Sequence, residues 1–102
     1  MMHLVDQNLT ALARLCQKYE VQALELFGSA ARGEFDPASS DLDFLVAFLP
    51  QGNVDAADRY LGLLVDLEDL FQRKIDLVDV RAHRNPFFMA EALRTRVRLY
   101  AA

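Results

Sequence analysis

The sequence predicts an α/β fold of the α+β kind, in which helices cover one small mixed β-sheet. Three observations support this fold class. Residues 6–19 repeat apolar side chains at the three- and four-residue spacing of an amphipathic helix. Two short apolar segments, residues 21–27 and 41–49, flank a Gly-Ser turn as two strands would. A long helical pattern then leads to a third strand at residues 74–80, and such a crossover favours parallel neighbours.

Composition limits the classes of protein to which the chain can belong. With 102 residues, 53% of them hydrophobic and 25% charged, it fits one globular domain spanning residues 1–102. The net charge of −4 argues against direct binding to nucleic acid. A single cysteine, Cys16, excludes an internal disulfide and fits a reducing compartment. No apolar run approaches the roughly 20 residues of a membrane span, and no leader-like segment opens the chain, so we expect a cytoplasmic protein without a membrane partner.

The first predicted helix covers residues 6–19, with Asp6 or Asn8 available as its cap. Cys16 lies on its apolar stripe, which indicates a small buried side chain and not a nucleophile. The first strand follows at residues 21–27. We attribute Glu20 and Glu25 to a sheet edge or a helix end and leave them out of the site.

The turn after the first strand has the chemistry of a phosphate site. Gly28 allows close approach of the backbone, and Ser29 offers a hydroxyl and a helix cap. Arg32 adds a planar charged fork that suits phosphate oxygens, and Gly33 allows the short helix to end. We therefore expect a phosphate to bind where this strand ends.

The second strand begins with two acids, Asp41 and Asp43. Side chains alternate along a strand, so both lie on one face with their Cα atoms roughly 6.5–7 Å apart. Two carboxylates at this distance repel each other, and a divalent cation offsets that cost. Oxygen ligands of this kind suit Mg²⁺, which is usually bound by one or two carboxylates together with substrate phosphates.

The crossover helix is predicted for residues 54–71, with Asn53 as a plausible cap and five side chains facing inward: Leu61, Leu64, Val65, Leu67 and Leu70. The third strand, residues 74–80, carries Asp76 and Asp79. These two acids differ by three positions and point to opposite faces, so only one can join Asp41 and Asp43. We favour Asp76, since it lies near the start of its strand as the other two acids do.

The last segment is predicted as a helix over residues 86–99, with Asn85 as cap and Pro86 at its first position. Phe87 and Phe88 cannot both lie on its apolar stripe, so some aromatic surface is expected to stay exposed for a partner. Five arginines make this end basic: Arg81, Arg84, Arg94, Arg96 and Arg98. A solvated helix explains them most simply, and the alternative is contact with an acidic partner or with nucleotide phosphates.

Three short motifs, taken together, resemble the signature of the DNA polymerase β-like nucleotidyltransferases: Gly28-Ser29, Ala31-Arg32-Gly33 and Ser40-Asp41-Leu42-Asp43. In particular the chain resembles the minimal nucleotidyltransferase (MNT) proteins. Eleven residues, Ala30 through Ser40, separate Gly-Ser from Asp-x-Asp, one more than is usual, and the extra residue falls in a loop. The resemblance implies the polymerase β-like fold, and it places the third carboxylate at Asp76.

The resemblance also implies an activity, which is Mg²⁺-dependent transfer of AMP from ATP. Asp41, Asp43 and Asp76 would be the catalytic and metal-binding residues of a two-metal site, and Gly28, Ser29, Arg32 and Ser40 would bind the nucleotide. Proteins of this family and size typically act as antitoxins in hetero-oligomers with HEPN-domain ribonuclease toxins, some by adding AMP to a toxin tyrosine. The alternatives are an antitoxin that neutralises by binding alone and a small-molecule nucleotidyltransferase.

Overall fold

A four-stranded mixed sheet forms the centre of the described fold. The computed structural model describes residues 3–31, 41–50, 52–82 and 85–102. Its elements in chain order are α1 (His3–Asp6), α2 (Leu9–Lys18), β1 (Val21–Phe27), α3 (Gly28–Ala31), β2 (Leu42–Phe48), α4 (Ala56–Phe71), β3 (Ile75–Asp79), α5 (Pro86–Thr95) and β4 (Val97–Ala101). The strands are arranged in the order β3-β2-β1-β4. The predicted fold class is confirmed.

The strand pairings follow from the connections between the strands. β1 runs antiparallel to both β2 and β4, whereas β2 and β3 are parallel, as the α4 crossover predicts. The hydroxyl of Tyr60 on α4 donates a hydrogen bond to the backbone carbonyl of Leu77 on β3. This bond fixes the crossover helix to the edge strand that it precedes.

The larger part of the core lies between one face of the sheet and helices α2 and α4. Its fully buried side chains include Leu24 and Leu26 of β1, Phe44 of β2 and Leu67 of α4. Cys16 also lies in this core, and burial raises the pKa of its thiol to about 12. The prediction that Cys16 is a buried apolar residue is confirmed, because a thiol with so high a pKa is not a nucleophile at neutral pH.

Helix α4 begins later than predicted and turns a different face to the core. Its cap is Asp55, not Asn53, because the carboxylate of Glu20 accepts the backbone N–H groups of Asn53 and Val54. The prediction that Leu61 and Val65 face inward was wrong: their exposures are 57% and 53%. The buried positions follow the spacing of another stripe, formed by Leu63, Leu67 and Phe71.

The C-terminal helix is shorter than predicted, and a strand follows it. Asn85 caps α5 by accepting the backbone N–H groups of Phe87 and Phe88, as expected, but α5 ends at Thr95. Residues 97–101 form β4, which pairs Val97 with Leu26 of β1. This pairing provides hydrogen-bond partners for the backbone groups along the second edge of β1. Satisfying those groups favours a strand over the helix that the sequence pattern predicts. No helix in the described ranges is both long and apolar enough to cross a membrane.

Helix α5 covers part of the opposite face of the sheet. Its residue Ala92 packs with Phe27 and Leu45, and the ring of Phe88 meets that of Phe27 edge to face at 5.6 Å between centroids. Phe87 is 86% exposed, so the expected division of this aromatic pair is confirmed.

Candidate active site

The acids of the second and third strands lie side by side. In the parallel pairing of β2 with β3, Asp43 is the register partner of Asp76. Register partners in a parallel pair share a face, and Asp41, two residues before Asp43, shares it as well. Neighbouring strands are about 4.8 Å apart. One end of the sheet therefore carries three carboxylates on one face.

Asp79, the rival third acid, is separated from this group. Its register partner is Val46, three positions beyond Asp43, so it belongs to the other face. Its carboxylate accepts the backbone N–H of Arg81 at 2.9 Å and so stabilises the turn that follows β3. Asp79 is thus the last residue of β3 and acts in the turn, not among the other acids.

The Gly-Ser corner meets the same carboxylates. Phe27, the last residue of β1, pairs with Asp43, and Gly28 follows it with a φ of +72°. A Cβ atom added to Gly28 would lie only 2.3 Å from Oδ2 of Asp43. Glycine is thus required both by the left-handed backbone and by the close approach of the Asp43 carboxylate. Ser29 lies in the same helical turn, α3, whereas Arg32 and Ser40 lie outside the described residues.

The acids at this end of the sheet have the donor chemistry that Mg²⁺ prefers. They offer only oxygen, Asp41 and Asp76 are exposed, and Asp43 is half-buried. Over the described ranges, no three Asp, Glu, His or Cys side chains are placed so that together they could hold a metal ion. The three acids share a face but do not form a preformed metal site, so an ion bound there would need further ligands from substrate phosphates and water. That these acids bind metal stays a prediction.

A buried ion cluster lies in the next row of the same face, and the sequence prediction left it out. Glu25 is 6% exposed, and its two carboxylate oxygens each accept an arginine, Arg96 at 3.2 Å and Arg98 at 3.2 Å. Because β1 is a central strand, our attribution of Glu25 to a sheet edge was wrong. The available signal was an acid inside an apolar strand, which needs a partner, together with two arginines at the alternating spacing of a strand.

A mainly apolar cleft adjoins the corner on this face. It has a volume of about 180 Å³ and is lined by Phe27, Gly28, Phe88, Glu91, Ala92 and Thr95. Since Gly28 contacts Asp43, the cleft opens next to the acidic end of the sheet. An apolar or aromatic part of a substrate has a place there.

Comparison with known proteins identifies the family. The family model described as "Polymerase beta, Nucleotidyltransferase" matches residues 10–102. The chain belongs to the polymerase beta nucleotidyltransferase family. Its membership, together with the placement of Asp43, Asp76 and Gly28, makes this protein a nucleotidyltransferase.

Two archaeal relatives of this nucleotidyltransferase come from Methanocaldococcus jannaschii. The first, named "Putative protein adenylyltransferase MJ1379", is 38% identical over 73 residues, which are 72% of this chain and 71% of the relative. The second, named "Putative protein adenylyltransferase MJ0128", is 37% identical over 73 residues, 72% of this chain and 70% of the relative.

Solved structures of similar fold include "Structure of putative minimal nucleotidyltransferase", with a TM-score of 0.75, 31% identity, and coverage of 94% of this chain and 95% of the other. A toxin–antitoxin structure with AMP-PNP has a TM-score of 0.70 at 21% identity, covering 93% and 74% of the two chains. The structure of a tri-AMPylated Shewanella oneidensis HEPN toxin in complex with MNT antitoxin has a TM-score of 0.67 at 19% identity, covering 96% of this chain and 73% of the other. The last two show likeness of fold.

Proposed function

We propose that this nucleotidyltransferase transfers AMP from ATP to a tyrosine hydroxyl of a HEPN ribonuclease toxin and neutralises the toxin as its antitoxin. The register pair of Asp43 with Asp76, beside Gly28, is the observation that carries the chemistry. The acceptor is suggested by similar proteins: two relatives are named for protein adenylyltransfer, and one structural neighbour is a tri-AMPylated HEPN toxin with its MNT antitoxin. A neighbour solved with AMP-PNP supports ATP as the donor.

In this proposal the three acids divide the binding of Mg²⁺. Asp41 and Asp43 would hold the ion that accompanies the triphosphate, and Asp76 would join them in holding a second ion for the acceptor hydroxyl. When bound, Mg²⁺ lowers the pKa of that hydroxyl and offsets charge on the phosphates. The exposure of Asp41 and Asp76 leaves room for substrate oxygens beside the carboxylates.

The remaining residues bind the nucleotide and move the proton. The acceptor oxygen forms a bond to the α-phosphorus of ATP while the bond between that phosphorus and the pyrophosphate oxygen breaks. Asp76 accepts the proton of the hydroxyl. Gly28 allows the phosphates to approach the backbone, Ser29 and Ser40 hold them, and Arg32 neutralises the leaving pyrophosphate; these nucleotide-binding roles stay predictions.

A matched pair of variants in β3 tests the catalytic assignment. ATP labelled at the α-phosphate is incubated with Mg²⁺, this protein and a HEPN-domain protein tested as its partner. We expect Asp76→Asn to reduce labelling of the HEPN protein by about 10²- to 10⁴-fold, because it removes a ligand and a proton acceptor. Asp79→Asn changes the same strand on the opposite face, so its labelling should stay within about threefold of the unmodified protein, since surface substitutions away from a site have small effects.

The outcomes separate this proposal from its rivals. Labelling that persists in Asp76→Asn, Asp41→Ala and Asp43→Ala contradicts the catalytic assignment. A complex that forms and silences the toxin without any label means an antitoxin that acts by binding. If the two proteins neither bind nor react, a small-molecule acceptor remains.

A further inference from the structure

One row of side chains crosses all four strands at the acidic end of the sheet. The register pairs Asp76 with Asp43, Asp43 with Phe27, and Leu26 with Val97. Continuing the last pairing by one residue places Arg96 beside Phe27. The contact of Arg96 with Glu25 puts its guanidinium on the face of the acids. At about 4.8 Å per strand, Arg96 and Asp43 lie about 10 Å apart, with the Gly28 corner between them.

The ion cluster holds more positive charge than its carboxylate requires. Glu25 is the acid of the cluster, and both Arg96 and Arg98 are paired with it. One guanidinium neutralises one carboxylate, so the second leaves an excess of one positive charge within the cluster. Arg96 gives Glu25 a single N–H at 3.2 Å, whereas a guanidinium carries five. Its side chain is 41% exposed, so donors remain accessible from solvent.

Glu25 restricts the position of Arg96. The carboxylate lies on a central strand and is almost fully buried, so its own position is fixed. It contacts the guanidinium at the end of the long Arg96 side chain. A guanidinium that is already oriented loses less side-chain entropy when it binds an anion.

We propose that Arg96 contacts the β- and γ-phosphates of the bound nucleotide, held in position by Glu25. The inference rests on the proposed function, because it assumes that a nucleoside triphosphate occupies the Gly28 corner. The acids lie on one side of that corner and Arg96 on the other, so Arg96 would neutralise the polyphosphate from the side opposite to any ion that the acids hold. Arg98 shares the same carboxylate but pairs with Glu25 in the register, one row farther from the corner, and provides a matched control.

Binding measurements with AMP-PNP and with inorganic tripolyphosphate, each with Mg²⁺, test the proposal. Arg96→Gln should weaken both by about 10- to 100-fold, the loss expected for a charge-assisted hydrogen bond. The affinity of Arg96→Gln for AMP, which lacks the outer phosphates, should stay within about threefold of that of the unmodified protein. Arg98→Gln should lower the affinity for each of the three ligands by less than about threefold. Arg96→Lys keeps a charge for Glu25, and we expect it to recover part of the affinity, since it lacks the planar fork.

A merely structural ion pair gives a different pattern. In that case Arg96→Gln and Arg98→Gln lower the melting temperature by similar amounts, and neither changes tripolyphosphate binding selectively; this result overturns the inference and leaves the proposed function intact. If Arg96→Gln does not fold, Arg96→Lys with unchanged tripolyphosphate affinity also overturns it. If the unmodified protein binds neither AMP-PNP nor tripolyphosphate, both proposals are wrong. If Arg96→Gln weakens AMP-PNP and tripolyphosphate binding as expected but no label is transferred to the HEPN protein, the Arg96 contact is supported and the catalytic proposal is refuted.

Discussion

Replacing Gly28 by alanine tests whether the corner controls the position of Asp43. The new Cβ would lie 2.3 Å from Oδ2 of Asp43, whereas carbon and oxygen in close contact are about 3.3 Å apart. The carboxylate must therefore move by about 1 Å. A displacement of this size at a catalytic group costs about 10²-fold in rate. We expect Gly28→Ala to lower AMP transfer to the HEPN protein by about that factor.

The same substitution has a smaller cost in stability. At φ +72° an alanine is strained by about 1–2 kcal/mol, which lowers the melting temperature of a domain of this size by about 5–15 °C. Gly62→Ala is the control: its Cβ would lie 2.4 Å from Cε1 of Tyr19, on the opposite face of the sheet from the carboxylates. It should affect stability only, and the better helix propensity of alanine offsets part of its clash.

Asp43→Asn shows whether Gly28→Ala lowers activity by displacing the Asp43 carboxylate or by disturbing the fold as a whole. If alanine acts through Asp43, the double variant should lose little more activity than Asp43→Asn alone, because both changes disturb one carboxylate. Transfer rates within threefold of the original in Gly28→Ala, or losses that multiply in the double variant, would refute the reasoning.

Three further predictions concern the fold. Leu67→Ala, in the core, should cost about 2–5 kcal/mol in urea unfolding, whereas Leu61→Ala, on the exposed side of α4, should change stability by less than about 0.5 kcal/mol; equal losses would contradict the orientation of the helix. The hydroxyl of Tyr19 donates to Asp66, and this bond, the largest cause, lowers the pKa of the carboxyl. The stability that this bond adds is present above the ordinary pKa of aspartate and is lost as the pH falls through the lowered pKa of Asp66. In Tyr19→Phe the free energy of unfolding, measured by urea titration, should therefore fall less on acidification than it does in the unmodified protein. Cys16, with a pKa of about 12, should not react with a thiol reagent until the protein unfolds; rapid labelling of the native protein would show otherwise.

The sequence alone predicted the acidic end of the sheet because its chemistry depends on local order. Asp41 and Asp43 alternate along one strand, and the crossover through α4 determines that β3 lies parallel beside β2. Asp76 and Asp79 lie on opposite faces whatever the exact strand boundaries, so only one could join the other acids. Its place near the start of its strand and the family resemblance both favour Asp76. In the structure Asp76 is the register partner of Asp43 and lies on the same face of the sheet, as predicted.

The prediction of a helix up to residue 99 was wrong because periodicity in a short segment is ambiguous. Val97 and Tyr100 extend the helical spacing of α5, yet Arg96, Val97, Arg98 and Leu99 also alternate as a strand does. Only the unpaired edge of β1, which is a property of the folded sheet, decides between the two. For the same reason the sequence did not reveal the partners of Glu25, which lie about 70 residues away in the chain.

The position of β3 at the border of the described sheet bears on how a macromolecular acceptor would reach the proposed reacting centre. Asp76 has a strand on one flank only, and within the described ranges no further strand pairs with the other. In the proposed reaction a large, folded acceptor would approach from this flank of the described sheet, without threading a flexible segment into a tunnel. The Tyr60 hydroxyl donates to the Leu77 carbonyl, so this border is partly blocked against pairing with another strand.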